Sequence, residues 1–142
     1  MKSIEMINDN NYDKITSFLS SVPSINSIED DVVLNTVAII DDDKVLGSVS
    51  FEIYDSNALI RYFVFKRNID NTYINNMIEK LCALARNKNI SNIVCIADSK
   101  VVYDLFLEFG FVEIEDNIFI NEDKKSNSNY SNAEFLIKSI VA

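Results

Sequence analysis

Val64-Phe65-Lys66-Arg67-Asn68-Ile69-Asp70-Asn71-Thr72-Tyr73-Ile74-Asn75-Asn76-Met77-Ile78-Glu79-Lys80-Leu81 is the stretch on which the fold turns. Its first residues close a β-branched and aromatic run, Ala58–Phe65. From Ile74 onward the apolar residues recur at three and four: Ile74, Met77, Ile78, Leu81, Leu84 and Ala85. That change of period predicts a strand running into a long amphipathic helix, from about Asn71 to Lys88.

The same reading extends in both directions. Upstream, Gly47, Val49, Phe51 and Ile53 alternate with Ser48, Ser50, Glu52 and Tyr54, which predicts a half-buried strand with one polar face. Thr36–Asp41 precedes it across an Asp42-Asp43-Lys44 turn, and Asp55-Ser56-Asn57 turns the chain into Ala58–Phe65. Ser3–Ile7 reads as a first strand and Asn11–Ser20 as a helix. Pro23 then breaks the chain, and Ser24 is placed as the cap of a short helix through Asp31. Downstream, Asn92–Ala97 is a short apolar strand suited to a sheet interior. Val102, Leu105, Phe106 and Phe109 mark a second helix, with Ser99 as N-cap and Gly110 as its stop. Phe111–Ile120 and Ala133–Val141 read as closing strands around a polar loop, Asn121–Asn132. The predicted order is β-α-α-β-β-β-α-β-α-β-β: an α/β chain with a mixed sheet and helices on both faces.

Composition excludes several chemistries. The chain has 142 residues, no histidine, no tryptophan and two glycines, Gly47 and Gly110. Without imidazole there is no Ser-His-Asp triad, no Cys-His pair and no histidine-ligated zinc. Two distant glycines exclude every glycine-rich phosphate loop. No metal-ligand spacing is visible, Glu29-Asp30-Asp31 included. The formal charge of −9 disfavours nucleic acid and anionic lipid. Cys82 and Cys95 sit in apolar runs and read as buried free thiols. No apolar run is long enough to span a membrane, and Met1–Glu5 does not resemble a secretory signal. A single domain, 1–142, in the cytoplasm is the expectation.

With this order, three segments carry a resemblance to the GNAT superfamily, the Gcn5-related N-acetyltransferases. Lys44-Val45-Leu46-Gly47-Ser48-Val49-Ser50-Phe51 looks like the family's third strand. Val64 to Leu81 matches, without a gap, the stretch from strand four into the cofactor-binding helix. Leu105-Phe106-Leu107-Glu108-Phe109-Gly110-Phe111 looks like the family's "LYxxxGF" end of the last helix. The resemblance covers nearly the whole chain and implies a GNAT-like fold, acetyl-CoA as cofactor, and an amine, small-molecule or protein, as acceptor.

It also implies roles, position by position. Backbone amides of Phe63 and Phe65 on strand four would hold the acetyl thioester. The pyrophosphate loop falls on Ile69–Ile74, making Asn71, Thr72, Tyr73 and Ile74 its cofactor-binding residues. Ile69 stands at the leading Arg/Gln position, Thr72 and Ile74 stand at glycine positions, and Asp70 stands at another position that is often glycine. Two readings stay open here: a degenerate CoA loop, or an ordinary helix capped by Asp70, whose carboxylate would take the pyrophosphate's place. The leaving-group tyrosine falls on Phe106, which has no proton to give, and Tyr103 one turn earlier is the surrogate acid. Ser99 falls where the family often has Asn, and Asp98, at the carboxyl end of the apolar strand, is the candidate base. Glu52, Arg61 and Tyr62 lie nearby on strands three and four, and Glu29-Asp30-Asp31 falls on the acceptor side.

Two functions follow as expectations. One is an acetyl-CoA-dependent N-acetyltransferase with weakened cofactor motifs. The other is a catalytically silent GNAT-fold module for binding or dimerisation that no longer holds CoA. A third class, pairing through the Asn121–Asn132 loop or an open strand edge, leaves a homodimer open.

Overall fold

A computed structural model of the chain describes residues 2–25, 27–114 and 134–140. The elements are β1 (Lys2–Met6), α1 (Tyr12–Ser20), α2 (Asp30–Val33), β2 (Thr36–Asp41), β3 (Lys44–Tyr54) and β4 (Asn57–Phe65). They continue as α3 (Asn71–Asn87), β5 (Asn92–Ala97), α4 (Lys100–Glu108), β6 (Val112–Ile114) and β7 (Glu134–Ser139). The strands form one mixed sheet in the order β1-β2-β3-β4-β5-β7-β6, flanked by helices. β4 and β5 are parallel neighbours, while β5–β7 and β6–β7 are antiparallel. This is the predicted element order and the GNAT-like topology. The predicted loop 121–132, residues 115–120 of the first predicted closing strand and the two end residues of the second lie outside the described residues.

The described chain divides into two compact units, Met1–Glu52 with Arg61–Leu84, and Ile53–Ile60 with Ala85–Ala142. In the first, Ile15 and Leu19 of α1 pack with Val33, Ala38, Ile40 and Val45, and Tyr62 and Val64 of β4 join them. α3 buries Ile74, Met77, Ile78 and Leu81, the stripe that its periodicity announced. Gly47 is required by close approach: a Cβ there would lie 3.0 Å from Phe65 Cβ and 3.2 Å from the Val64 carbonyl. In the second unit, Phe106 is fully buried and meets Phe109 and Phe111 edge-on, at 5.5 and 4.9 Å between ring centroids. α4 ends in a Schellman motif. The Phe111 N–H reaches the Phe106 carbonyl and the Gly110 N–H the Leu107 carbonyl, with Gly110 at φ +91°. Cys82 and Cys95 are buried and are not joined in a disulfide, and burial pushes the Cys95 thiol well up.

Two local expectations are corrected. The short helix is not Ser24–Asp31 but Asp30–Val33, entered from an extended Glu29. Side chains of β4 hold the Ser27–Glu29 backbone, so hydrogen bonds to distant residues outweigh the local helical pattern. The serine face of β3 is not solvated either: Ser48 and Ser50 are fully buried. The hydroxyls of Ser50 and Thr36 lie 2.6 Å apart, and Thr36 also donates to the Val33 carbonyl. A small hydroxyl paired with a neighbour is cheap to bury, and alternation alone does not distinguish it from a wet one.

Candidate functional site

On β4, a strand interior carries a residue in the left-handed region. Tyr62 has φ +51°, costly for a side chain with a Cβ. The β4–β5 ladder pairs Asn57–Leu59 with Asn92–Val94, and β4 runs on beyond it through Tyr62 to Phe65. Arg61, just before Tyr62, bonds Glu52 of β3 and also Glu29, the latter at 2.7 Å. Its guanidinium, half-buried, has its pKa lowered by desolvation but raised overall by these two carboxylates. Phe63 and Phe65 follow with rings 5.4 Å apart.

The start of α3 is closed by its own chain. Asp70 Oδ1 accepts the Thr72 N–H at 2.8 Å, and the Asp70 carbonyl accepts from Tyr73 and Ile74. The Thr72 bond holds the Asp70 carboxyl below its ordinary value. Asn71 and Thr72 are exposed, Tyr73 lies beneath the Lys2 ammonium at 5.3 Å, and Ile74 is 1% exposed, a core side chain.

In the second unit, the carboxyl end of β5 opens on a cavity of about 340 Å³. Asp98, Ser99, Lys100, Tyr103, Glu113 and Glu134 line it. Ser99 caps α4 by accepting the Val102 N–H at 3.3 Å. The Tyr103 hydroxyl donates to Glu113 Oε1 at 2.7 Å, and this bond pushes the phenol's pKa up. Of the residues singled out from sequence, the structure therefore gathers Asp98, Ser99 and Tyr103 around one cavity. Asn71 to Ile74 share one helix start, and Phe63 and Phe65 share one strand. Phe106 is core, turned away from any wet surface. Glu113 and Glu134 were not singled out from sequence, because only pairing β6 with β7 brings them to Tyr103's cavity. Tyr62's backbone had no sequence signal at all, since tyrosine is a poor candidate for φ above zero.

Among the described residues no group of three or more acidic or cysteine side chains is arranged for a metal ion. No described helix is long and apolar enough to cross a membrane.

No family model matches the chain, and no curated protein matches it. Solved structures do. N-acetylglutamate synthase from Neisseria gonorrhoeae, complexed with coenzyme A and N-acetyl-glutamate, superposes with a TM-score of 0.77 at 15% identity. That match covers 100% of this chain and 36% of the synthase, so the chain spans about a third of that protein. A GNAT-family acetyltransferase from Staphylococcus aureus Mu50 gives 0.72 at 15% identity, covering 99% and 100% of the two chains. Tetrahymena Gcn5 gives 0.64 at 16%, covering 99% and 96%. The likeness is one of fold: this chain has the fold of the GNAT acetyltransferases.

Proposed function

We propose that the chain is a GNAT-type N-acyltransferase, with acetyl-CoA as donor and an amine as acceptor. The observation that carries this reading is the left-handed Tyr62 inside β4. Strained backbone persists where the surroundings impose it, and such residues cluster at functional sites. The β4–β5 ladder covers Asn57–Leu59, and β4 runs on past it through the segment where the resemblance assigns the thioester to the amides of Phe63 and Phe65. Tyr103, with its pKa raised, keeps its proton at neutral pH, as a general acid toward a leaving thiolate must. Asp98, the candidate base by its place at the end of β5, lines the same cavity.

The nucleotide end of CoA does not fit the start of α3. A pyrophosphate needs free N–H groups and close backbone approach. Here the Thr72 N–H is taken, a carboxylate stands on the helix end, and no glycine opens the turn. This favours the second reading, a GNAT fold kept without its cofactor.

Titrating acetyl-CoA against thermal stability separates the two. Saturation at about 100 times Kd adds ~2.7 kcal/mol. The acyltransferase reading expects a shift in the wild type, larger in Asp70→Gly. No shift in either protein at millimolar acetyl-CoA overturns it and leaves the silent module. Ile74 stays unaltered in this test because it is core. Where acetyl transfer is measurable, Tyr103→Phe should slow it by about 10²–10⁴-fold without moving Tm.

A further inference from the structure

Two consecutive residues of a regular strand point to opposite faces of the sheet. Arg61 and Tyr62 break that rule. Both reach the same short segment, Ser27–Glu29, which lies between α1 and α2. The Tyr62 hydroxyl accepts the Glu29 N–H at 2.9 Å and donates to the Ser27 carbonyl at 3.3 Å. The Arg61 guanidinium bonds the Glu29 carboxylate at 2.7 Å and stacks over the Tyr62 ring, 5.2 Å from its centroid. Tyr62, one of the two gripping residues, is the one whose backbone is left-handed.

We infer that Arg61 and Tyr62 are positioning residues, a two-point latch that holds Ser27–Glu29 on β4, and that the left-handed backbone of Tyr62 is the device that turns both side chains to one face. The latch goes beyond the acyltransfer reading and does not rest on it. Three features make it a latch rather than a stretch of core. The gripped segment has no regular secondary structure of its own, and at its end the Glu29 carbonyl accepts the Val32 and Val33 N–H groups that open α2. The grip itself is directional and polar. Each point grips a different part of Glu29: the phenol takes its amide and the guanidinium its carboxylate. The anchor is fixed independently, because Arg61 is also bound to Glu52 of β3 when Glu29 lets go. Opening therefore swings the segment and leaves β4 in place. The Glu29 side chain is about half exposed, so this point of the grip is open to salt and to any ion that competes for it.

Hydrogen exchange on the full chain tests this. Tyr62→Phe keeps the ring and the strained backbone and removes the hydroxyl. Exchange in peptides covering 27–31 should rise about tenfold, with β2 and the middle of α3 unchanged. Tyr62→Asn, a residue that tolerates the left-handed region, removes the grip and keeps the backbone, and should free the same peptides while β4 stays protected. Glu29→Gln should give a smaller rise, about threefold, and the wild type in molar salt should approach it. Ser27→Ala is the control, because the grip uses the Ser27 carbonyl. Unchanged exchange at 27–31 in Tyr62→Phe overturns the latch. So does an equal rise across β2 and α3, which would make the contacts part of global stability.

Discussion

The starts of α3 and α4 face the same problem and solve it differently. Each helix leaves backbone N–H groups without an intrahelical partner. At α3 the charged carboxylate of Asp70 takes the Thr72 N–H at 2.8 Å. At α4 the neutral hydroxyl of Ser99 takes the Val102 N–H at 3.3 Å. The first solution suits the helix dipole and repels an arriving anion. The second leaves the helix end uncharged, on the edge of a cavity that holds Tyr103 and Asp98. The difference teaches that two helix starts of one chain can be closed by different chemistry: the atom already bonded to the amides sets the charge at the helix end.

The largest effect sharpens what the first turn of α3 is for. Ile74→Gly should cost roughly 4 kcal/mol in urea unfolding, from a core cavity plus helix-interior glycine, whereas exposed Thr72→Gly should cost about 1 kcal/mol. Equal losses would break the assignment of Ile74 to the core. Next, Ser99→Ala should lower stability by about 1 kcal/mol, and by the same amount at every pH. The smallest effect is at Asp70 and depends on pH. Its carboxyl lies below the ordinary value of 3.8 when folded. The cap therefore stabilises fully above that value, and the contribution fades as pH falls through the lower, folded pKa. Thermal unfolding followed from about pH 5 down to about pH 2 should show a decline that Asp70→Asn lacks in part. A profile identical in both proteins would remove the charged half of the comparison.

Much of the fold was legible because its signals are local. The α3 stripe, the apolar β5, the Ser99 cap and the Gly110 stop are each written within a few residues, and each lies where the periodicity and capping rules put it. The short helix was misplaced because the bonds that hold Ser27–Glu29 extended come from Arg61 and Tyr62, more than thirty positions away. The polar face of β3 was misjudged because burial of Ser48 and Ser50 depends on what covers them. Within the candidate site, the type of residue at Asp98, Ser99 and Tyr103 was visible, whereas Glu113 as the partner of Tyr103 was not.

The amino-acid sequence by itself determined the element order, the helix stop at Gly110, and the residues available to any chemistry. Those follow from side-chain size, periodicity and the absence of histidine, all of which are properties of neighbours along the chain. Tertiary structure alone decided that Tyr62 stands in a left-handed backbone, that Arg61 and Tyr62 grip one distant segment, and that the Tyr103 hydroxyl donates to Glu113. These depend on contacts between residues far apart in the chain, where strain at one position is offset by bonds formed at another.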